Sequence, residues 1–192
     1  MDKLDPRGSA LVLIDLQNGI MPLAKGPHSV DTVLLNAAAL TRRARDLKIP
    51  VVLVRVGWMA GYPDVPSQKV DQPLNVPPRA LPDDWFTLAP ALEAAPDDIQ
   101  ILKRQWNAFF GTELDLQLRR RGVDTIILGG ISTNLGVEST ARAAWETGYH
   151  TLLAEDACSA VHGAEAHRFS IETIMPRISR VRTTREILGA LA

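Results

Sequence analysis

The segment ILGGISTNLGVEST, residues 127–140, runs from an apolar, β-like stretch through a pair of glycines into the start of a helix. A strand that turns directly into a helix is half of a βα unit, and repeats of this unit build parallel sheets. Gly136 lies at the first turn of the predicted helix, where a side chain would point back at the end of the strand. The segment therefore predicts an α/β fold, and it raises the question of why position 136 carries no side chain.

Short aliphatic and β-branched runs alternate with segments of helical periodicity along the rest of the chain. Most of these runs are continuously apolar, which favours parallel strands covered by helices on both faces. A chain of 192 residues with 46% hydrophobic residues is about the size of one large domain, so we predict a single domain over residues 1–192. The predicted strands are ALVLID (10–15), PVVLVRV (50–56), IQILKR (99–104), DTIILGG (124–130), YHTLLAE (149–155) and ISRVRT (178–183).

Three helices are predicted between these strands from the spacing of their apolar residues. Pro50 marks the end of the first helix and Gly122 the end of the second, while Thr133 or Asn134 is a suitable N-cap for the third. The apolar positions are Val33, Ala37, Leu40, Ala44 and Leu47 in the first helix, Leu114 and Leu118 in the second, and Val137, Ala141, Ala144 and Trp145 in the third.

The segment from Gly57 to Pro96 follows neither period for long, and it holds eight of the 13 prolines in the chain. We predict that it is rich in loops. Aperiodic segments of this length in a compact domain usually cover an active site, mediate contacts between subunits or are mobile.

Charge and composition exclude several classes of partner. The 21 basic and 22 acidic residues nearly cancel, so no long-range field would attract nucleic acid or an anionic membrane. The apolar run before Asp15 covers only Ala10 to Ile14, far short of the roughly 20 residues of a membrane span. Cys158 is the only cysteine, which excludes an internal disulfide and suits a reducing compartment. We therefore predict a cytoplasmic protein.

Polar residues follow three of the predicted strands. Asp15 closes the first strand, Lys103 the third, and the turn from Ser132 to Gly136 follows the fourth. Ligands of open parallel sheets bind at the carboxyl ends of the strands, where a carboxylate and an amine could exchange protons and turn amides could bind an anionic oxygen. Taken separately, each residue also fits a structural role, since an aspartate often caps a turn and a lysine is often only solvated.

Cofactor and metal motifs are missing from the sequence. Neither the GxGxxG fingerprint nor the GxxxxGK[ST] phosphate loop is present, so no cofactor is predicted. The four histidines form no HExxH motif, and the five-residue spacing of His162 and His167 does not stack them on one helix face. We therefore predict no metal site.

Tryptophans and the lone cysteine have both a structural and a functional interpretation. Trp58, Trp85 and Trp106 are typical of a core or a subunit interface, and one of them, Trp58, is also a candidate for the wall of a ligand pocket. Cys158 is typical of a small buried hydrophobe, with a reactive thiol as the alternative.

Three segments together resemble the isochorismatase-like, or cysteine hydrolase, superfamily: ALVLIDLQNGI, LKRQWNAFFGTELDLQLRRRGVDTIILGGISTNLGVESTARAAWETGY and LLAEDACSA. The similarity extends from about Ala10 to Arg182. The resemblance implies a Rossmann-like, three-layer α/β/α sandwich with a mainly parallel sheet of six strands. It also implies a small-molecule substrate and a homo-oligomer.

The family's catalytic residues map onto this chain with one exception. Asp15 of LVLIDLQN matches the catalytic aspartate, and Lys103 of ILKRQWNAF matches the catalytic lysine. The nucleophilic cysteine falls on Gly136, so the chain has no thiol there. The family tends to have a cis peptide before the turn, here between Ile131 and Ser132, which would place the Ser132 amide in the pocket beside that of Gly136. The metal-binding cluster of the nicotinamidase branch has no counterpart in VRVGWMAGYPDVP.

A glycine at position 136 changes the chemistry that the resemblance implies. A thioester cannot form there, so an amidase would need Ser132, Thr133 or water as a substitute nucleophile. True isochorismatases, some of which also lack the cysteine, hydrolyse an enol ether through a protonating aspartate and a water molecule. We therefore expect a hydrolase of this type, with Asp15 as acid and base, Lys103 as its electrostatic partner and the main-chain amides of Ser132 and Gly136 as an anion hole. A substrate carboxylate bound by Lys103 or Arg104 would favour protonation of Asp15. The substrate-binding residues are expected to be Ser132, Thr133, Arg104 and Trp58. A binding protein that has lost its nucleophile is the alternative.

Overall fold

The computed structural model describes residues 3–67 and 69–191. Its sheet has six parallel strands in the order β3-β2-β1-β4-β5-β6. The strands are β1 (Ser9–Ile14), β2 (Val51–Val56), β3 (Ile99–Lys103), β4 (Thr125–Ile131), β5 (His150–Ser159) and β6 (Arg180–Arg182). All six predicted strands are therefore confirmed, as is the parallel α/β fold.

Helices cover both faces of this sheet. The helices are α1 (Val30–Asp46), α2 (Leu114–Arg120), α3 (Glu138–Glu146), α4 (Ala164–Phe169) and α5 (Thr184–Ala190). Residues of α1 and α5 pack on one face, and residues of α2 and α3 pack on the other. The predicted three-layer sandwich is confirmed, whereas the boundaries of the domain stay a prediction.

Side chains of the central strand alternate between the two layers. Val12 and Ile14 join the core beneath α2 and α3, whereas Leu11 and Leu13 join the core beneath α1 and α5. Every residue of β1 is buried, so the strand needs a continuous apolar run rather than an alternating one. Burial of each such aliphatic side chain contributes about 1.5 to 3 kcal/mol, which is why the apolar runs predict the strands well.

The glycine pair of the opening segment allows β4 to lie close to β1. Gly130 has a positive φ of 126°, and a Cβ built on it would lie 2.1 Å from the main-chain oxygen of Ile14. No side chain fits at that distance, so only glycine permits this approach. The order of the strands reverses between β1 and β4, and such a switch point is where parallel sheets bind ligands.

Three local predictions about α3 and β5 were wrong. Trp145 is 58% exposed rather than buried. The third helical segment begins with a π-helical turn, Thr133–Val137, whose N-cap is Ser132 without a side-chain hydrogen bond. Strand β5 continues to Ser159, beyond its predicted end at residue 155, so Cys158 lies inside the strand; this part pairs with β4 after a shift in register.

The segment that follows β2 is mostly irregular, as its composition predicts, apart from one short helical turn at Pro90–Leu92. Its last part runs beside the residues that follow β1. The main-chain N–H groups of Asn18 and Gly19 donate to the carbonyl oxygens of Thr87 and Trp85. The segment thus lies against the carboxyl end of the central strand. Among the described residues, no helix combines the length and the apolar character that crossing a bilayer requires.

Candidate active site

Asp15 lies at the centre of the switch point, directly after β1. Its backbone turns out of the sheet with a positive φ of 54°, an uncommon conformation for a residue other than glycine. The Nζ atom of Lys103 donates a hydrogen bond to its Oδ2 atom over 2.6 Å. Asp15 is 4% exposed and Lys103 is 1% exposed, so the two residues form a buried ion pair.

Lys103 reaches this carboxylate from a strand that is not adjacent. It ends β3, and β2 lies between β3 and β1. The strands of Asp15 and Lys103 are thus not neighbours, and yet their side chains meet. The four-carbon stem of lysine explains this contact, since it carries the ammonium group across the end of the intervening strand.

Burial and charge act on the Asp15 carboxyl in opposite directions. Burial raises its pKa, whereas attraction to Lys103 and the hydrogen bond from Lys103 lower it; together they raise the pKa from 3.8 to about 6. Burial is the larger effect because the side chain has lost nearly all contact with water. The carboxyl group can therefore be protonated close to neutral pH, as a general acid requires.

The second oxygen of this carboxyl group lacks a partner. Within residues 3–67 and 69–191, no group forms a hydrogen bond with the buried Oδ1 atom of Asp15. Buried polar atoms are nearly always hydrogen-bonded, and exceptions mark sites of strain or function. Oδ1 is therefore the oxygen of this carboxyl group that still has its hydrogen-bonding capacity unused.

Gly136 packs directly against the ion pair. A Cβ built on it would lie 3.1 Å from Cγ2 of Ile14, 3.3 Å from Oδ2 of Asp15 and 3.5 Å from Nζ of Lys103. The first two distances are tighter than ordinary contact between carbon and its neighbours. Residue 136 thus lies where the carboxylate and the ammonium group meet. The gap beside it is too narrow to accept a Cβ atom at ordinary contact distances from all of its neighbours.

Replacing Gly136 with alanine is expected to lower the free energy of unfolding by about 1 to 2 kcal/mol, because the added methyl group would crowd the Ile14 side chain and the Asp15 carboxylate. We also expect kcat/KM to fall by at least about tenfold, since a catalytic group displaced by 1 Å can cost about 100-fold. Denaturant unfolding and steady-state kinetics measure both effects.

Gly189→Ala is the matched control for this substitution. Gly189 lies in α5, and a Cβ on it would meet nothing within 4 Å, so alanine there should be neutral or stabilising. Equal stability and equal activity of the Gly136→Ala variant and the wild type would contradict the assignment of position 136 to the site.

Ser132 and Thr133 begin the turn that carries Gly136, and both hydroxyl groups are already engaged. The Ser132 hydroxyl donates to Oδ1 of Asn134 over 2.7 Å and accepts the N–H of Val161 over 3.0 Å. The Thr133 hydroxyl forms a hydrogen bond of 2.8 Å with Nδ1 of His167. The peptide bond between Ile131 and Ser132 is cis, as the family resemblance implies. Neither hydroxyl is poised as a nucleophile in this arrangement.

Arg104 and Trp58 hold the ends of β2 and β3 together. The Arg104 guanidinium pairs with the Asp64 carboxylate, with Nε and Oδ2 2.5 Å apart, and it donates to the carbonyl oxygen of Gly57 over 2.9 Å. The Trp58 indole N–H donates to the carbonyl oxygen of Arg104 over 2.8 Å. A substrate carboxylate would have to displace Asp64 to bind Arg104, so binding of substrate by Arg104 and Trp58 stays a prediction.

The other residues with two interpretations have clear structural surroundings. The Trp85 indole N–H donates to the carbonyl oxygen of Val56, and Trp106 is more than half exposed. Cys158 is fully buried, and this burial raises the pKa of its thiol. Its surroundings are those of a small hydrophobe rather than of a reactive thiol.

Sequence reasoning missed one buried polar side chain close to Asp15. Gln17 is fully buried; its Nε2 atom donates to the carbonyl oxygens of Val56 and Trp85, and its Oε1 atom accepts the N–H of Val56. Its amide thereby fastens β2 and the following segment to the turn after β1. The signal was a glutamine two residues after the aspartate in IDLQN.

Sequence reasoning also missed a cluster of histidines. The fold brings His28 and His167 to the same oxygen, Oε1, of the Glu155 carboxylate. Their hydrogen bonds hold the pKa of Glu155 well below its usual range, at about 2, against partial burial that raises it. These residues come from three separate segments, so local spacing could not connect them, and the prediction of no metal site rested on local spacing.

Comparisons with known proteins consistently find isochorismatase-family proteins and their relatives. The sequence profile of the isochorismatase domain matches residues 9–186. The isochorismatase family protein YecD of Escherichia coli O157:H7 is 55% identical over 191 residues, which is 100% of both chains. The ureidoacrylate amidohydrolase RutB of Methylobacterium radiotolerans is 30% identical over 97% of this chain and 81% of its own. The crystal structure of an isochorismatase family protein from Burkholderia thailandensis superposes with a TM-score of 0.93 and 40% identity, covering 100% of this chain and 98% of the other.

Proposed function

This chain belongs to the isochorismatase family of hydrolases, and from that premise we propose that it cleaves its substrate by acid–base chemistry without a cysteine nucleophile. The observation that carries the proposal is the buried pair of Asp15 and Lys103 in contact with Gly136. The site has a carboxyl group with a raised pKa and a fixed ammonium group, whereas position 136 carries no thiol. The substrate class that fits this set is a small organic acid with an enol ether, and isochorismate is the test compound.

Hydrolysis of an enol ether needs one proton donor and one water molecule. Asp15 in its protonated form transfers its proton to the terminal vinyl carbon, and the ether carbon becomes an oxocarbenium ion. Water adds to that carbon and returns a proton to the Asp15 carboxylate. The resulting hemiketal collapses with cleavage of its bond to the ether oxygen, which releases pyruvate and the dihydrodiene alcohol. No covalent bond to residue 136 forms in any step.

Lys103 has a second task in this scheme. When Asp15 is protonated, the buried ammonium group loses its counter-charge, and an unpaired buried charge is costly. A substrate carboxylate that replaces it would pair with Lys103. The same negative charge would raise the pKa of Asp15 further and keep its proton in place. Binding of an anionic substrate and protonation of the acid therefore support each other.

Access to the site requires movement, because both members of the pair are almost fully buried. The segment that follows β2 lies beside the carboxyl end of β1 and is tied there through Gln17 and Trp85. Displacement of this segment would admit substrate, and its return would exclude bulk water from the oxocarbenium ion. The main-chain amides of Ser132 and Gly136 would then bind the anionic part of the substrate.

We expect pyruvate release from isochorismate whose kcat/KM is constant below pH 6 and falls about tenfold per pH unit above it. The reason is that the active form carries a proton on Asp15, and the pKa of that group is about 6. The measurement is a pyruvate assay between pH 5 and pH 8, run beside an ammonia assay on a panel of amides.

The control is the unfolding curve of the protein at each pH, which separates loss of catalysis from loss of fold. Release of ammonia from an amide with no release of pyruvate would overturn the enol ether proposal. A rate that rises with pH through about 6 would also contradict it, because Asp15 would then act as a base.

Amide hydrolysis is the second candidate, and the 30% identity to a ureidoacrylate amidohydrolase favours it. In that reaction the ionised Asp15 would remove a proton from water, which would attack the amide carbon directly. The hydroxyl groups of Ser132 and Thr133 are less suited to attack because both are hydrogen-bonded to other side chains. Opposite pH profiles therefore distinguish the two reactions at the same carboxyl group.

A further inference from the structure

Three side chains outside the candidate active site converge from separate parts of the fold. His28 lies between β1 and α1, Glu155 in β5 and His167 in α4. Nε2 of His28 is 2.7 Å from Oε1 of Glu155, and Nε2 of His167 is 3.2 Å from the same oxygen. One ligand atom from each residue lies within 4.8 Å of the other two.

We propose that His28, Glu155 and His167 form a binding site for Zn²⁺ or a similar divalent transition metal. Two imidazole nitrogens and one carboxylate oxygen are a ligand set that Zn²⁺ prefers, whereas Mg²⁺ and Ca²⁺ prefer oxygen alone. Ligand atoms about 2.0 to 2.2 Å from a tetrahedral ion lie roughly 3.3 Å apart. The 3.2 Å distance between His167 and Glu155 already fits that value. The 2.7 Å distance from His28 and the spread of up to 4.8 Å among the three ligand atoms require the imidazole rings to rotate onto the ion.

A hydrogen bond behind the site supports the assignment. Nδ1 of His167 is 2.8 Å from the hydroxyl oxygen of Thr133, and the His167 side chain is 4% exposed. Histidines that bind a metal through one nitrogen almost always donate the other N–H to an oxygen, which sets the tautomer and the direction of the ring. Thr133 provides that oxygen, so the Nε2 atom of His167 is held toward the carboxylate.

The site is open to solvent on one side. Glu155 and His167 line a cleft of about 630 Å³ together with Pro27 and Arg168. The side chains of His28 and Glu155 are each about a quarter exposed. An ion could reach the three ligands through this cleft, and a water molecule could complete its coordination.

A bound ion would act as a clamp rather than as a part of the hydrolytic chemistry. It would connect the segment before α1, strand β5 and helix α4, and through Thr133 it would contact the turn that carries Gly136. The inference does not depend on the proposed function, because metal binding is measured without substrate and can also be measured in an Asp15→Asn variant, which lacks the proposed acid.

The test is metal binding by the purified, chelator-treated chain at neutral pH. We expect about one Zn²⁺ per chain after dialysis and elemental analysis. We also expect a rise in melting temperature of about 5 to 10 °C when free Zn²⁺ exceeds its Kd by about 100-fold. The same concentration of Mg²⁺ should cause no shift. A wild-type chain that retains no zinc and shows no shift would overturn the proposal and leave only a hydrogen-bonded carboxylate.

Variants locate the site. His28→Gln and Glu155→Gln should each weaken zinc binding by more than about tenfold, since loss of a direct ligand exceeds loss of an outer hydrogen bond. His28 is partly exposed, so its replacement should leave the fold intact. His150→Gln, on the exposed start of β5, is the matched control and should bind as the wild type does. Zinc binding that is unchanged in both ligand variants would also overturn the proposal.

Discussion

Replacing Asp15 with asparagine is expected to lower the turnover of the substrate by about 100- to 10,000-fold, the usual contribution of a general acid or base. Asparagine keeps the shape of the side chain, and its carbonyl oxygen can still accept the Lys103 hydrogen bond. It cannot carry the exchangeable proton. Steady-state kinetics at pH 6 measure the change, with pyruvate release or ammonia release as the readout, whichever the wild type shows.

Two controls make this result specific. Asp71→Asn, in the exposed part of the segment after β2, should keep full activity. Thermal unfolding of the Asp15→Asn variant shows whether the fold has survived. A folded Asp15→Asn variant with wild-type turnover would show that Asp15 is not catalytic, and it would contradict both the enol ether proposal and the amidase alternative.

Replacing Lys103 with methionine is expected to lower the free energy of unfolding by about 3 to 5 kcal/mol at pH 7. Methionine fills most of the volume of the lysine stem, so the cost arises mainly from charge. The Asp15 carboxylate would be left buried without its partner, 4% exposed. Denaturant unfolding monitored by tryptophan fluorescence measures the loss.

The loss of unfolding free energy in the Lys103→Met variant should depend on pH in a defined direction. Lys103 lowers the pKa of Asp15, so its removal raises that pKa further above the ordinary 3.8. A carboxyl group whose pKa is higher in the folded state favours folding while protonated, and this contribution is lost as pH rises through the folded pKa. The variant should therefore be closer to wild type at pH 5 than at pH 8.

The double variant Asp15→Asn with Lys103→Met is the matched control for the ion pair. It removes both charges, so it should be more stable at pH 7 than Lys103→Met alone. Two outcomes would contradict the coupling of the two residues: a Lys103→Met variant as stable as the wild type, or a double variant less stable than Lys103→Met.

Periodicity and apolar runs were sufficient for most of the fold. The central strands follow from continuous apolar runs, and the buried faces of the helices follow from apolar residues spaced three or four apart. Trp145 is the exception in α3, because a large apolar residue at the edge of a stripe can remain at the surface. The end of β5 depends on its pairing with β4 after a shift in register, which no local pattern shows.

The candidate site could be predicted in its parts but not in its arrangement. Asp15, Lys103 and Gly136 were recognisable from the family resemblance and from their positions at strand ends. The reach of Lys103 across β2 and the engagement of Arg104 by Asp64 depend on side-chain geometry. The direction in which the pKa of Asp15 shifts likewise depends on whether burial outweighs the effect of Lys103. The sequence shows that a lysine is present, but it does not show how deeply Asp15 is buried.

The amino-acid sequence by itself determined the α/β architecture, the identity of the carboxyl and ammonium groups, and the lack of a thiol at position 136. These follow from local spacing and residue type. Tertiary structure alone decided that burial outweighs Lys103 at Asp15 and that His28, Glu155 and His167 meet at one carboxylate. The physical reason is that solvation and ligand geometry depend on distances between segments far apart in the chain, and only the folded sheet sets those distances.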